Sequence, residues 1–298
     1  MEDILGGDVV EAVSAVTGFS PAVAAALTLA DGGRAFVKAA DPQGNSETVE
    51  IYREEARIAA VLPRTAPVPR LIATFEEEGW VVLLFEHVDG RLPAEPWRQD
   101  ELARVLSMVT DLAAGLTPCP IDAPAIADRY EDVFRGWRRL VAARDSGTDD
   151  LSGLDPWAAR RLDALAELES SWSDAAEGST LLHCDLRADN LLLTDDRVIV
   201  VDWPWASCGA PWFDLVGLLP SVRMQGGPDP EHVFRSHPLA AEADPDAVTA
   251  VLAAMTGYFV RQARQPAPPG LPTLRAFQAA QGRTALPWLR SRLGEGWS

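Results

Sequence analysis

Short hydrophobic segments alternate with polar, turn-forming segments along the first third of the chain, which is the pattern of strands joined by turns. The segments VAAALTL (23–29) and RAFVKAA (34–40) flank ADGG and predict a β-hairpin, because glycine allows the positive φ angles of a tight turn. A polar loop and a helix that runs to about Leu62 follow. The next segment, RLIATFEEEGWVVLLFE (70–86), predicts two further strands around a turn. The first third is therefore expected to be rich in β-structure.

The remainder of the chain follows the 3.6-residue spacing of amphipathic helices. Helices are predicted over 97–114, 125–143, 156–172, 212–220, 245–264 and 273–293. One strand-rich segment, TLLHCDLRADNLLLTDDRVIVVDW (180–203), interrupts them. The Gly- and Pro-containing stretch HVDGRLPAEP (87–96) is typical of a linker. The pattern predicts an α+β protein with a small β-rich N-lobe, residues 1–88, and a larger, mainly α-helical C-lobe, residues 89–298.

Composition indicates a folded protein without a membrane segment. Hydrophobic residues make up 47% of the chain and charged residues 23%, which is ample material for a packed core. No apolar run reaches the roughly 18–20 residues of a membrane span, and the acidic start lacks the basic region of a secretory signal. Three cysteines, Cys119, Cys184 and Cys208, are odd in number and lack metal-site spacing. These features favour a reducing cytoplasm.

The formal net charge of −18 argues against a nucleic-acid partner, whose phosphates would be repelled. It does not identify a cationic ligand. Residues 1–88 carry 14 acidic and 6 basic side chains, a net charge of −8, which leaves −10 for residues 89–298. Because the acidity is spread along the chain, general solubility explains it equally well.

The segment HCDLRADNLLLTDDRVIVVDW places Asp185, Asn190 and Asp202 around a short hairpin. A turn at 195–197 would set Asn190 directly opposite Asp202, with Cα atoms roughly 4.5–5.5 Å apart. A two-residue turn would shift the register by one and leave them neighbours. Two hard oxygen ligands side by side suit Mg²⁺, which takes few protein ligands and relies on phosphates for the rest.

Asp185 precedes Asn190 by five residues on the same loop. This is close enough for Asp185 to accept a proton from a hydroxyl group that attacks a metal-bound phosphate. A lone Asp or Asn in a loop is most often a turn former. The whole set, His183-x-Asp185-x4-Asn190 followed by a hairpin and Asp202, is much more specific to phosphoryl transfer.

HCDLRADNLLL followed by VIVVDW resembles the catalytic and metal-binding segments of the aminoglycoside phosphotransferase family, relatives of protein kinases. The resemblance implies a bilobal protein-kinase-like fold. It implies that Asp185 is the catalytic base, that Asn190 and Asp202 hold Mg²⁺, and that ATP or GTP is the phosphate donor. WFDL (212–215) is similar to a later element of the family, in which Asp214 would brace the catalytic loop.

A kinase-like small lobe needs a strand lysine that contacts the nucleotide phosphates and a helix glutamate that holds it. Lys38 is the only lysine in the chain and lies near the end of the second hairpin strand. The helix offers Glu54 and Glu55. Glu55 shares a helical face with Ile51 and Ile58, so its carboxylate faces inward and requires a partner. Glu55 is therefore preferred as the partner of Lys38.

Two further segments resemble nucleotide-binding elements of the family. TGFSPAV (17–23) is similar to the phosphate-covering loop, where Ser20 would meet a phosphate oxygen, although one glycine is more often only a turn. LLFEHVDG (83–90) is similar to the hinge, where main-chain groups of Glu86 and Val88 would bind a purine edge. An ordinary connection between lobes explains the second segment equally well.

The sequence also departs from the family pattern. Cys184 replaces the usual glycine before the catalytic aspartate. Arg187 either contacts the γ-phosphate or is a solvated loop residue. Trp203, Trp205 and Trp212 either line an acceptor pocket or pack in the core.

These observations predict an ATP- or GTP- and Mg²⁺-dependent phosphotransferase that moves the γ-phosphate to a hydroxyl group of a small molecule. An antibiotic is one candidate acceptor, and an endogenous amino alcohol, sugar or nucleoside is another. The alternative is a catalytically silent, nucleotide-binding protein of the same fold. We expect a cytoplasmic monomer or weak dimer with no nucleic-acid or membrane partner.

Overall fold

The structure, a computed structural model, describes residues 2–15, 22–43, 46–294 and 296–297. The chain divides into two compact units. The first comprises Met1–Pro93 and Ala188–Ala206, and the second comprises Ala94–Arg187 and Ser207–Ser298. The short segment 188–206 thus belongs with the N-terminal unit, although it lies in the predicted C-lobe by sequence.

The first unit is built on a five-stranded antiparallel sheet with the order β1-β2-β3-β5-β4. Its strands are β1 (Val9–Ser14), β2 (Val23–Leu29), β3 (Arg34–Ala40), β4 (Leu71–Glu77) and β5 (Trp80–Glu86). Two helices accompany the sheet, α1 (Glu2–Leu5) and α2 (Ser46–Ala59). The predicted hairpin of β2 and β3 is confirmed, with Thr28 opposite Arg34. Strand β1 was not predicted, because most of its side chains are exposed and give little alternation.

Helix α2 packs on one face of the sheet. Val49 and Tyr52 form a buried cluster with Leu83 and Phe85 of β5. The helix ends at Ala59 rather than near Leu62. The last turn tightens there, since the N–H groups of both residue 61 and residue 62 bond to the Ile58 carbonyl at 3.0 and 3.1 Å.

A two-stranded hairpin completes the first unit and consists of β7 (Leu191–Leu193) and β8 (Val198–Val200). Leu191 pairs with Val200, so the register that would set Asn190 opposite Asp202 is wrong. The Val201 N–H donates to the Asn190 carbonyl at 3.0 Å.

The turn of this hairpin explains the register. The Thr194 N–H donates to the Arg197 carbonyl at 3.0 Å, which leaves two residues in the turn rather than three. The Thr194 hydroxyl donates to Asp196 Oδ1 at 2.7 Å and accepts from the Arg197 N–H at 3.1 Å. These side-chain bonds favour the tighter turn, and Asp202 therefore lies one residue beyond the partner of Asn190.

The second unit is mainly helical. Its helices are α3 (Gln99–Gly115), α4 (Ile126–Tyr130), α5 (Gly136–Asp145), α6 (Pro156–Arg160), α7 (Leu162–Ser170), α8 (Trp172–Ala175), α9 (Phe213–Met224), α10 (Pro230–Ser236), α11 (Pro245–Ala263) and α12 (Leu274–Leu293). A strand pair, β6 (Thr180–Leu182) and β9 (Ser207–Gly209), accompanies them. Single helices predicted over 125–143 and 156–172 are in fact broken into two and three pieces.

One break follows from close helix packing. Helix α5 begins at Gly136, where its backbone meets Gly257 of α11. A Cβ atom at Gly136 would overlap the Gly257 carbonyl group. Such contact between backbones requires glycine, and it sets where α5 begins.

Cys119 and Cys208 form a disulfide with their Cα atoms 6.2 Å apart. The sequence did not predict this pair, because three cysteines without a recognised spacing do not indicate a bond. The two residues are 89 positions apart, and only the tertiary fold brings strand β9 to the loop that follows α3. In the part of the chain that the structure describes, no helix is long and apolar enough to cross a membrane.

The Gly136 contact gives a stability prediction. Gly136→Ala should lower the free energy of unfolding by about 3 kcal/mol, because the added methyl group overpacks the α5–α11 crossing. Gly115→Ala is the control, since a Cβ there meets nothing within 4 Å. This variant should gain roughly 0.5–1 kcal/mol from its helix position. Urea denaturation of both variants measures the difference, and an equal effect would contradict the contact.

Candidate active site

Lys38 on β3 forms a buried ion pair with Glu55 of α2. Its ammonium group donates to Glu55 Oε1 and Oε2 at 2.7 and 2.9 Å. Lys38 is 9% exposed and Glu55 only 3%. Charges this deeply buried are stable only when paired, so the inward-facing glutamate has the partner its position requires. Glu54, the other candidate, instead pairs with Arg57 near the helix surface.

Two aromatic rings and a second carboxylate complete the surroundings of the lysine. The ammonium nitrogen lies 5.7 Å from the centre of the Tyr52 ring and 6.0 Å from that of Phe85. It also contacts Asp202 Oδ1. One cation is thus shared by a buried and a half-exposed carboxylate. A compact ammonium suits this place better than the wide planar fork of arginine.

Asp202 lies beyond β8 with a φ of 65°, in the left-handed region. This region is unfavourable for a residue with a side chain, and such outliers concentrate at functional sites. Asn190 ends a short 3₁₀ turn, Ala188–Asn190, and is 3% exposed. Both residues lie at the open end of the β7–β8 hairpin.

The donor set at this hairpin fits a magnesium ion. Asp202 contributes a carboxylate and Asn190 an amide oxygen, both of which are hard ligands. Lys38 contacts only Oδ1 of Asp202, which leaves Oδ2 for a cation. Across the described residues, no group of three or more His, Cys, Asp or Glu side chains could hold a metal. A metal ion here would therefore take most of its ligands from phosphate and water.

The predicted hinge follows β5. The Glu86 N–H donates to the Arg70 carbonyl at 2.9 Å, and the Val88 carbonyl accepts from the Gly90 N–H at 3.1 Å. Within the described part of the chain, the Val88 N–H has no hydrogen-bond partner. The Val88 N–H is thus available as a main-chain donor, as the predicted hinge requires. Ser20 lies outside the described residues.

Asp185 belongs to the second unit, on the loop that follows β6. Asp214, in the first turn of α9, organises this loop. Its carboxylate accepts from the His183 N–H at 2.7 Å and from the Cys184 N–H at 2.8 Å. The Asp185 N–H in turn donates to His183 Nδ1 at 3.2 Å. The structure thus places Asp214 where the resemblance predicted a bracing residue.

Cys184 has a φ of 66°, which explains why glycine is usual at this position in the family pattern. Burial, together with the nearby charge of Asp214, raises the pKa of the Cys184 thiol well above its usual value. The thiol therefore stays protonated at neutral pH. Burial also raises the pKa of Asp214, while His183 and the two backbone donors act in the opposite direction.

Arg187 pairs with the candidate base. Its Nη1 lies 2.5 Å from Asp185 Oδ1, and its guanidinium lies over the Phe277 ring at 5.4 Å. The side chain of Arg187 is 17% exposed, so the interpretation as a solvated loop residue is wrong. This pair could not be predicted from the sequence, because a spacing of two residues in a loop does not determine side-chain contact.

The three tryptophans have different environments. Trp203 and Trp212 are buried, and the Trp203 Nε1 donates to the Val200 carbonyl at 3.1 Å. Both pack in the core of their own unit. Trp205 is 36% exposed.

Two features define a phosphotransferase of the protein-kinase-like fold. One is the buried Lys38–Glu55 pair between the five-stranded sheet and α2, and the other is the Asp185 loop, whose backbone is held by Asp214 of α9. The chain belongs to the phosphotransferase enzyme family, whose model matches residues 17–250. No curated protein matches the chain by sequence.

Solved structures share the fold at low identity. A thermostable variant of aminoglycoside phosphotransferase APH(4)-Ia, in complex with ADP and hygromycin B, is 16% identical, with a TM-score of 0.62 over 98% of this chain and 99% of that chain. Choline kinase LicA from Streptococcus pneumoniae is 15% identical, with a TM-score of 0.58 over 95% and 94%. Aminoglycoside-3'-phosphotransferase of type VIII is 23% identical, with a TM-score of 0.54 over 83% and 93%.

The ion pair of Lys38 with Glu55 predicts a difference in stability between two neighbouring glutamate variants. Glu55→Gln should lower the free energy of unfolding by about 2 kcal/mol, because a charged hydrogen bond to a buried ammonium is lost. Glu54→Gln removes the same charge from the next residue and should cost less than about 1 kcal/mol. Urea denaturation compares the two variants. Equal destabilisation would show that the buried pair does not hold α2 to the sheet.

Proposed function

We propose that the protein transfers the γ-phosphate of ATP or GTP, bound with Mg²⁺, to a hydroxyl group of a small molecule. The observation that carries this proposal is the buried Lys38–Glu55 pair with Asp202 in contact. Membership of the phosphotransferase family supports it. The solved relative in complex with ADP and hygromycin B is an example of a nucleotide and a second small molecule bound by this fold.

The residues that would bind the phosphate donor belong to the first unit. Lys38, oriented by Glu55, would bind the α- and β-phosphates as a point charge. Asn190 and Asp202 would hold Mg²⁺, which neutralises charge on the transferring phosphate when bound. The Val88 N–H and the Glu86 carbonyl would bind the purine edge, and Ser20 would donate to a phosphate oxygen.

Asp185 would act on the acceptor. The acceptor oxygen attacks the γ-phosphorus, the bond to the bridging oxygen of the diphosphate breaks, and Asp185 accepts the hydroxyl proton. Asp214 and His183 fix the loop backbone, and Arg187 fixes the carboxylate. The protein thereby supplies position and charge, which are the main requirements of phosphoryl transfer.

The acceptor is a small molecule with an alcohol group, and an antibiotic or an endogenous metabolite both satisfy the chemistry. A cytoplasmic location agrees with ATP or GTP as the phosphate donor, and in a reducing cytoplasm Cys119 and Cys208 would be two thiols. The proposal requires no nucleic-acid or membrane partner, and a monomer or weak dimer suffices.

The role of Asp185 gives the first functional prediction. Asp185→Asn should lower kcat by about 10²–10⁴-fold with little change in the KM for nucleotide, because only the proton acceptor is lost. Asp195→Asn makes the same change in the exposed β7–β8 turn and should keep wild-type activity. ADP release across a panel of hydroxyl acceptors measures both variants. Equal turnover by Asp185→Asn would refute the role, and nucleotide binding without transfer by the wild-type protein would favour the silent alternative.

Exchange of lysine for arginine tests the role of Lys38 in the donor site. Lys38→Arg should fold but lose about 100-fold in kcat/KM for ATP, since the planar fork does not fit between Glu55 and Asp202. Arg53→Lys is the reciprocal exchange on the exposed face of α2, where Arg53 pairs with Glu50 and Glu76, and should leave kcat/KM unchanged. Wild-type turnover by Lys38→Arg would remove this lysine from the proposed site.

A further inference from the structure

The C-terminal helices have a charge opposite to that of the rest of the protein. Residues 247–294 contain no aspartate or glutamate, whereas the whole chain carries a net charge of −18. The same stretch contains six arginines: Arg261, Arg264, Arg275, Arg283, Arg290 and Arg292. A local excess of positive charge in an acidic protein requires an explanation beyond solubility.

Two of the six arginines form ion pairs with carboxylates of the second unit. Arg264 pairs with Asp149 at 2.6 Å, and Arg292 pairs with Glu231 at 2.7 Å. Arg275 instead donates to neutral oxygens only, namely Gln262 Oε1 at 3.0 Å, Gln278 Oε1 at 2.8 Å and the Pro266 carbonyl at 3.0 Å. These bonds orient its guanidinium without neutralising it.

Arg261 is half-buried on α11, and its side chain makes no hydrogen bond or ion pair with the described residues. Burial and the positive charges of Arg139 and Arg275 lower the pKa of Arg261. The carboxylate within reach of Arg139 is Asp132, which is 3.7 Å away and 85% exposed. Arg261 follows Tyr258 by three residues and precedes Gln262, which accepts from Arg275, so it lies on the face of α11 that meets α12. Arg261 and Arg275 thus lie beside each other without a carboxylate partner among the described residues, an arrangement that a bound anion would stabilise.

A chain of contacts within the second unit leads from Arg275 of this arginine cluster, defined by Arg261 and Arg275, towards the catalytic loop. Gln278, which holds Arg275, donates through Nε2 to the Tyr258 hydroxyl at 3.2 Å. The preceding residue, Phe277, lies under the guanidinium of Arg187, which pairs with Asp185.

The pKa of Tyr258 is influenced by charged groups of both the catalytic loop and α12. Burial raises the pKa of Tyr258, and the charge of Asp185 raises it further, whereas Arg275 and Arg187 lower it. Asp185, Arg187 and Arg275 thus all influence the pKa of one hydroxyl group.

We propose that the acceptor carries an anionic group, a carboxylate or a phosphate, which binds to Arg261 and Arg275 while its hydroxyl group is held at Asp185. This inference rests on the proposed phosphotransfer and specifies its substrate class. Two guanidinium groups without carboxylate partners offer several charge-assisted hydrogen bonds to one anion. A polycationic acceptor would meet like charge at the same place. The overall acidity does not change this, because exposed charges are screened beyond about 8–10 Å at physiological salt.

A charge series of acceptors tests the proposal. Hydroxy acids of three to six carbons, and alcohols of the same length bearing a phosphate, are each compared with the corresponding amide and amino alcohol. ADP release with ATP and Mg²⁺ gives kcat/KM for every member. The anionic members should exceed the amides by about 100-fold, which corresponds to the loss of charge-assisted hydrogen bonds. Comparison of kcat/KM for the hydroxy acids with kcat/KM for the phosphate-bearing alcohols identifies which anion the site prefers.

Variants of the arginine cluster show whether these side chains cause the preference for anionic acceptors. Arg261→Gln and Arg275→Gln should each raise the KM for the anionic acceptor by at least about 10-fold with little change in kcat, and should leave the amide unaffected. Arg283→Gln removes the same charge from an exposed position of α12 and should behave as wild type. Arg261→Gln should also raise the melting temperature, because it relieves repulsion and breaks no hydrogen bond. A merely structural arginine would lower it.

The outcomes separate the two proposals. Preference for amino alcohols or amides would overturn the anionic acceptor while phosphotransfer itself stands. If no acceptor is phosphorylated, calorimetric titration of the same hydroxy acids and phosphorylated alcohols decides the point. Binding to the wild-type protein but not to Arg261→Gln would support the anion site and reject phosphotransfer. Absence of both transfer and binding would overturn the site as well.

Discussion

The buried ammonium of Lys38 is the interaction on which the first unit depends. A charge at this depth is costly unless carboxylates surround it, and Glu55 and Asp202 supply them from elements far apart in sequence. Glu55 ties α2 to the sheet, and Asp202 ties the β7–β8 hairpin to the same point. This shared cation gives a physical reason why residues 188–206 belong to the N-terminal unit, although nearly a hundred residues separate them from it.

The second unit uses the opposite arrangement, in which one buried anion organises a loop. Asp214 accepts two backbone N–H groups and so holds His183 and Cys184 in place, including the left-handed conformation of Cys184. A fixed backbone leaves the side chain of Asp185 directed by its own ion pair with Arg187. Preorganisation of this kind matters because phosphoryl transfer asks a protein for position and charge rather than covalent chemistry.

Charge acts on two scales in this protein. The acidity of the whole chain is spread along both parts of the sequence and accounts for solubility. Recognition depends instead on which charges are neutralised locally. Arg264 and Arg292 are paired, whereas Arg261 and Arg275 are not. The net charge of −18 therefore does not identify a cationic ligand, and the anionic acceptor that we propose depends on the local environment of Arg261 and Arg275.

The sequence by itself determined the local elements and the faces that they bury. Two hydrophobic segments around a glycine-containing turn predicted β2 and β3, helical spacing selected Glu55 over Glu54, and the residue set around Asp185 indicated the chemistry. These features are encoded within a few residues, where periodicity fixes which side chains face inward. Only the tertiary structure decided the β7–β8 register, the Cys119–Cys208 disulfide, the helix break at Gly136 and the arginines without carboxylate partners. Each of these depends on a turn closure, or on a contact between distant segments, that no local period specifies.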